Sequence, residues 1–141
     1  FGTSFGISTT YLAAALKDNG GGKVISTELI PNKCQTAQAN LEEAGVADFV
    51  EILEGDAMQT LAGRPESIDL VLLDGWKDLY LPVLELIKPN LRPGSLVLAD
   101  NIFTFRKALR PYVEYMQSGE NGFSSTTLPI GAGFEYSVYL G

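Results

Sequence analysis

The sequence contains no histidine. Ser-His-Asp hydrolysis, Cys-His proteolysis and His-ligated zinc or iron centres are therefore outside its own chemistry. It has one cysteine, Cys34, so neither an internal disulfide nor a CxxC pair can form. That usage suits a reducing, cytoplasmic setting. Basic residues are scarce: 10 Lys and Arg stand against 17 Asp and Glu, a formal net charge of −7. Such a balance argues against nucleic acid and anionic membranes as partners, because few cations are available to displace phosphate counterions. No run of about 18 apolar residues is present, so no membrane-spanning helix is expected. No basic segment followed by an apolar one opens the chain, and no signal peptide is read.

What is present is ordinary for one globular domain of 141 residues, with 45% hydrophobic and 19% charged residues. Four segments read as buried strands: 23–28 (KVISTE), 49–54 (FVEILE), 68–74 (IDLVLLD) and 95–100 (SLVLAD). The last two carry continuous apolar stretches, which is how a strand covered on both faces in a parallel sheet reads. Helical patterns lie between them. Ser8-Thr9-Thr10 is expected to cap a helix that Gly20-Gly21-Gly22 ends. Pro31 opens a second helix that stops at Gly45. A third is expected over 77–91, closed by Pro93-Gly94, and a fourth over 103–117. The alternating segments 123–128 and 134–140 read as an antiparallel hairpin at the sheet edge. Strand and helix alternate throughout, which predicts an α/β, doubly wound, mostly parallel, Rossmann-like sheet. The chain opens at Phe1 inside a motif, and we expect the start of the domain to lie upstream of it.

In open parallel sheets ligands bind beyond the carboxyl ends of the strands. Four of the five positions there carry acids: Glu28, Asp56, Asp74 and Asp100, the last followed by Asn101. The fifth is the loop Gly2-Thr3-Ser4-Phe5-Gly6, with Ser8 opening a helix. Its glycines let backbone N–H groups approach an anionic ligand. It lacks the G-x-G-x-x-G pattern, because Ser4 and Ile7 stand where the later glycines belong. Glu28, 22 residues beyond Gly6, has the spacing of an acid that accepts both ribose hydroxyls. Loop and acid together suggest a nucleoside-bearing cofactor; the alternatives are a plain connecting turn and a solvated strand-end acid. Asp74, Asp100 and Asn101 form an all-oxygen set that suits Mg²⁺, Mn²⁺ or Ca²⁺. Their alternatives are an Asp74-Gly75 turn and an Asp100 helix cap. Lys77, three residues after Asp74, is a candidate general base, or else a surface lysine paired with Asp78 or Glu85. Trp76 and Tyr80 offer flat apolar surface beside these residues, or pack a helix onto the sheet. Cys34 reads as a core residue.

Taken together, FGTSFGIST (1–9), STELIP (26–31), GDA (55–57), LLDGWKDLY (72–80) and RPGSLVLADN (92–101) resemble the class I S-adenosylmethionine-dependent O-methyltransferases of the metal-dependent, catechol O-methyltransferase-like type. The resemblance covers nearly the whole chain, and its most specific part is LLDGWKDLY followed by LVLADN. It implies that Gly2, Thr3, Ser4, Gly6 and Ser8 hold the methionine end of S-adenosylmethionine. Glu28, with Leu29 beside it, would bind the ribose, and Asp56 and Ala57 would flank the adenine. Asp74 and Trp76 would border the cofactor; Asp74, Asp100 and Asn101 would ligate Mg²⁺, and Lys77 would be the base. The implied acceptor is a small hydroxylated molecule, and a homodimer is compatible with the family. Thr126 stands where the animal catechol enzymes carry a glutamate that grips a substrate hydroxyl, so vicinal hydroxyls other than catechol are equally open. An NAD-dependent oxidoreductase and a non-catalytic cofactor-binding domain remain as alternatives.

Overall fold

Strands alternate with helices as far as the helix Arg106–Gln117, and two further strands then follow each other as a hairpin. The computed structural model describes residues 1–64 and 67–141. These fall into two units, Phe1–Thr60 and Leu61–Gly141.

The first unit contains α1 (Ile7–Asp18), β1 (Val24–Glu28), α2 (Pro31–Glu43), β2 (Val50–Glu54) and the short α3 (Ala57–Thr60). β1 and β2 pair in parallel from Val24↔Val50 to Glu28↔Glu54, so two acids end the ladder side by side. Ala13, Leu41 and Val46 form the centre of the core, with Val24, Phe49, Val50 and Ile52 packed against them. Pro31 occupies the first turn of α2, where its missing N–H has no helical partner to lose. The expected Ser8 cap is not what starts α1. Gly6, at φ 88°, stands before the helix, and Ser8 is already its second residue. The Thr10 hydroxyl donates back to the Gly6 carbonyl at 2.7 Å. A Cβ at position 6 would lie 3.3 Å from the Ala37 Cβ, so glycine serves both the left-handed turn and the close approach of α2.

The second unit contains β3 (Ile68–Leu73), α4 (Tyr80–Ile87), β4 (Leu91–Ala99), α5 (Arg106–Gln117), β5 (Phe123–Leu128) and β6 (Phe134–Tyr139). The sheet order is β3-β4-β6-β5, with β3 and β4 parallel and the hairpin antiparallel beyond them. The helix expected over 77–91 is broken into a 3₁₀ turn (Lys77–Leu79), α4 and a second 3₁₀ turn (Lys88–Asn90). Pro89 accounts for the second break: it has no N–H to continue the helical ladder, although Lys88 before it keeps helical backbone angles. Pro93-Gly94 do not close a connection. They lie within β4, which starts at Leu91, and the ladder to β3 shifts register between Ile68 and Leu70 to accommodate them. Likewise α5 begins at Arg106 rather than 103. The Ile102 and Phe103 N–H groups donate to the carbonyls of Gly133 and Ala132, at 3.0 and 2.8 Å, and this holds them out of the helix. Burial along β3 and β4 alternates: Val71, Leu73, Val97 and Ala99 are buried, while Leu70 is exposed and Leu72, Leu96 and Leu98 are half-buried.

These bonds tie the segment after β4 to the β5–β6 turn, and Gly133 is where they meet. Its φ is +86°, and a Cβ there would sit 2.6 Å from Phe103 Cγ and 2.8 Å from the Phe103 nitrogen. Gly133→Ala should therefore cost about 2–3 kcal/mol, seen as a clear fall in thermal midpoint. An unchanged midpoint would mean that the turn is not held in this conformation.

Candidate active site

In the first unit the glycine loop is bound to the end of β1. The N–H groups of Gly2 and Thr3 both donate to the Thr27 carbonyl, at 3.2 and 2.9 Å. Thr3 is buried and turns its hydroxyl inward, donating to the Thr27 carbonyl at 2.9 Å and lying 2.5 Å from the Ser26 hydroxyl. Glu28 clasps the loop from the other side. Its Oε2 accepts the Ser4 N–H at 2.8 Å, and its Oε1 accepts the Ile30 N–H at 3.0 Å. Each oxygen keeps a further lone pair, so the carboxylate can still receive two hydroxyls of a ligand. Ser4 has φ 49°; among the described residues, only it and Asn101 (φ 69°) depart from glycine's monopoly of positive φ. Backbone strain of this kind concentrates where a loop must present its groups to a ligand. Ser8 is exposed in the first turn of α1, and Leu29 is exposed beside Glu28. Asp56 is exposed and its Oδ1 accepts the Met58 N–H at 2.9 Å, while Ala57 is buried.

Cys34 is buried on α2, as its sequence context predicts. Burial, and then the charges of Glu54 and Glu28, push its thiol above the usual range, which leaves it unreactive.

In the second unit, Asp74 and Asp100 follow the paired strand ends Leu73 and Ala99. The Asp100 N–H donates to the Leu73 carbonyl at 3.1 Å. Asp100 Oδ1 accepts the Asn101 N–H at 2.6 Å and fixes that residue's left-handed turn. Lys77 begins the 3₁₀ turn after β3, with a side chain only 15% exposed. Its Nζ lies 3.5 Å from Asp74 Oδ1 and donates to the Tyr80 hydroxyl at 2.8 Å. Neither Asp78 nor Glu85, the surface partners that the sequence allowed, forms this pair. Burial raises the Asp74 carboxyl above its ordinary range; Lys77 pulls it down and Asp100 pushes it up. Trp76 is 72% exposed.

Tyr80 is the residue whose part the sequence reading missed. It is fully buried, and burial followed by the charges of Asp74 and Asp100 drives its phenol well above the usual range. Its signal was available: Lys77 and Tyr80 are three apart in a helical turn and so share a face.

The all-oxygen donors Asp74, Asp100 and Asn101 fit a hard divalent cation, and two mutually repelling carboxylates are the electrostatic condition that such an ion relieves. Among the described residues no three His, Cys, Asp or Glu side chains gather to hold a metal. The candidate set has two carboxylates and relies on the Asn101 oxygen for its third protein donor. No helix of the described residues is long and apolar enough to cross a membrane.

Strand-end acids, a glycine loop opening a helix and parallel pairing define a Rossmann-like α/β cofactor-binding protein. A family model described as "Methyltransferase domain" matches residues 1–102. Catechol O-methyltransferase B of Danio rerio is 33% identical over 99% of this chain and 56% of its own length. The catechol O-methyltransferase of Mycobacterium tuberculosis is 36% identical over 72% of this chain and 46% of its own. The chain thus spans about half the length of the curated relatives it matches. A putative O-methyltransferase from Klebsiella pneumoniae superposes with a TM-score of 0.89 at 27% identity, covering 99% of this chain and 71% of that one. An O-methyltransferase from Streptomyces achromogenes, solved in complex with SAM, gives 0.86 at 27% identity, with 99% and 71% covered. The chain belongs to the class I S-adenosylmethionine-dependent O-methyltransferases, in their catechol O-methyltransferase-like family.

The raised Asp74 carboxyl has a consequence for stability. A folded-state pKa above the ordinary 3.8 means that the ionised group opposes folding, fully so above the folded value and not at all below the ordinary one. In metal-free buffer, Asp74→Asn should therefore raise the thermal midpoint at pH 7, and the gain should vanish as the pH falls to about 4. Thermal melts across this range check it; a lower midpoint at neutral pH would show that the Lys77 pair outweighs the burial.

Proposed function

We propose that the protein, read as one methyltransferase domain over 1–141, transfers a methyl group from S-adenosylmethionine to a hydroxyl of a small, catechol-like acceptor. A divalent metal and Lys77 assist. The observation that carries this reading is the placing of Lys77: its ammonium, largely withdrawn from water, lies against Asp74, whose strand-end neighbour is Asp100. When bound, S-adenosylmethionine supplies an activated sulfonium methyl, which passes to the acceptor oxygen and leaves S-adenosylhomocysteine. A divalent cation held by Asp74, Asp100 and Asn101 would supply Lewis acidity and two-point anchoring for adjacent hydroxyls.

The chain's own residues do the rest. Gly2, Ser4, Gly6 and Ser8 border the methionine end, where the two serines offer hydroxyls, and Glu28 accepts from the ribose. The N–H groups of Gly2, Ser4 and Gly6 hold the loop's own shape. In the first unit Leu29, Asp56 and Ala57 border the adenine; in the second, Trp76 offers its exposed ring to the acceptor beside Asp74. Thr3 shapes the loop: its hydroxyl is engaged with Ser26 and Thr27, its N–H donates to the Thr27 carbonyl and its carbonyl accepts from Gly6. Lys77, acting in its neutral form, takes the acceptor's hydroxyl proton on Nζ. A free phenol has a pKa of about 10, so little phenolate exists at pH 7 without this help. Thr126 is exposed and offers a neutral hydroxyl, so a vicinal-hydroxyl acceptor is favoured without commitment to catechol itself.

Glu28→Gln keeps an acceptor oxygen for the loop but removes the charge. It should weaken S-adenosylhomocysteine by about tenfold in calorimetric titration, the loss of one charged hydrogen bond. An unchanged dissociation constant would take Glu28 out of the cofactor site.

For the metal and the base, methyl transfer to a panel of catechols and hydroxycinnamoyl compounds should stop in excess chelator and return with Mg²⁺ or Mn²⁺. Millimolar Mg²⁺ should also raise the thermal midpoint of the wild type and not that of Asp100→Asn. Lys77→Ala should keep this thermal response while its rate falls about 10²–10⁴-fold, with the loss shrinking at high pH as the acceptor ionises unaided. Full turnover in chelator would remove the metal from the mechanism.

A further inference from the structure

Resting on Lys77 as the base, we propose that Tyr80 is a positioning residue whose hydroxyl holds the Lys77 amine in register with Asp100. A lysine stem has four carbons and about 2 kcal/mol of rotamer entropy, so a base carried on it needs a fixed anchor. Asp74 is a loose one, at 3.5 Å. The short contact is to Tyr80 Oη, at 2.8 Å.

Tyr80 qualifies as an anchor because it is packed on all sides. Its side chain is fully buried, and its ring meets the buried Tyr112 edge-on, with centroids 5.8 Å apart and planes at 88°. Its hydroxyl has one proton, which it donates to the Asp100 carbonyl at 3.3 Å. The oxygen therefore presents a lone pair to Lys77, and one oxygen atom links the base to the main chain of the residue that ends β4. Phe105 adds a second constraint: Nζ lies 5.5 Å from its ring centroid. Of these contacts, only the hydroxyl bond is short and directional enough to fix where Nζ lies.

Tyr80→Phe removes that oxygen and keeps both rings. We expect kcat to fall about tenfold, because misdirecting a base by a fraction of an ångström is costly. KM for acceptor and cofactor, and the Mg²⁺ concentration giving half-maximal rate, should stay within twofold. A residue acting through Lys77 has nothing to act on once Lys77 is gone, so Tyr80→Phe should change nothing further in a Lys77→Ala background. Rates are compared at a temperature where melts show each variant folded, which separates positioning from a loss of stability. Full kcat in Tyr80→Phe, an equal fall in both backgrounds, or a rate loss that extra Mg²⁺ restores would each overturn the proposal. These outcomes leave Lys77 as the base, whereas wild-type rate in Lys77→Ala would overturn the base assignment and the role of Tyr80 with it.

Discussion

Carboxylates at the strand ends hold the turns that follow them. A chain leaving a buried parallel strand must reverse direction, and the N–H groups of that reversal lose their ladder partners. Glu28 accepts from Ser4 and Ile30, Asp56 from Met58, and Asp100 from Asn101. The same acids that a ligand would meet are thus already structural. Those bonds hold the carboxylates in place, and removing one disturbs its turn. Substitutions that retain an acceptor oxygen are accordingly the informative ones.

Accumulating acids in one unit has an electrostatic cost, which Asp74 bears. Its carboxyl is raised by burial and by Asp100, and Lys77 offsets part of this. A permanent counter-ion of full strength would make a bound cation redundant. Lys77 is a partial one: its distance to Asp74 exceeds a normal hydrogen bond, and its closest partner is a neutral phenol. The left-handed turn at Asn101 follows the end of β4, and that at Ser4 lies in the loop bonded to the end of β1.

A quite different buried carboxylate lies in the second unit. Glu135, fully buried on β6, accepts from Ser125 and Thr127 of β5, at 2.5 Å each, and from Gln117 of α5 at 2.8 Å. These three donors join the hairpin to α5. Nothing in the sequence marks Glu135, because its alternating neighbours Phe134 and Tyr136 allow it either face. The choice of face depends on donors eight to eighteen residues away.

Strand positions, the parallel pairing and the chemistry of the strand ends were legible from the sequence alone, because apolar runs and the acids that follow them are local patterns. The glycine loop, Glu28, Asp74, Lys77 and Asp100-Asn101 could be picked out for the same reason. Boundaries were less legible wherever a distant partner competes for the backbone. Ile102 and Phe103 are drawn from α5 by the carbonyls of Gly133 and Ala132, and Pro93-Gly94 sit in the register shift of the β3–β4 ladder, between the pairs Ile68↔Leu91 and Leu70↔Leu96. The direction of a side chain was hidden for a similar reason. Tyr80 reads as an aromatic on a helix, but only packing against Tyr112 and the Asp100 carbonyl decides that its hydroxyl faces Lys77. Local sequence determines which groups reach the ends of the strands. Tertiary contacts decide which of those groups touch, because hydrogen-bond partners and burial are set by residues far apart in the chain.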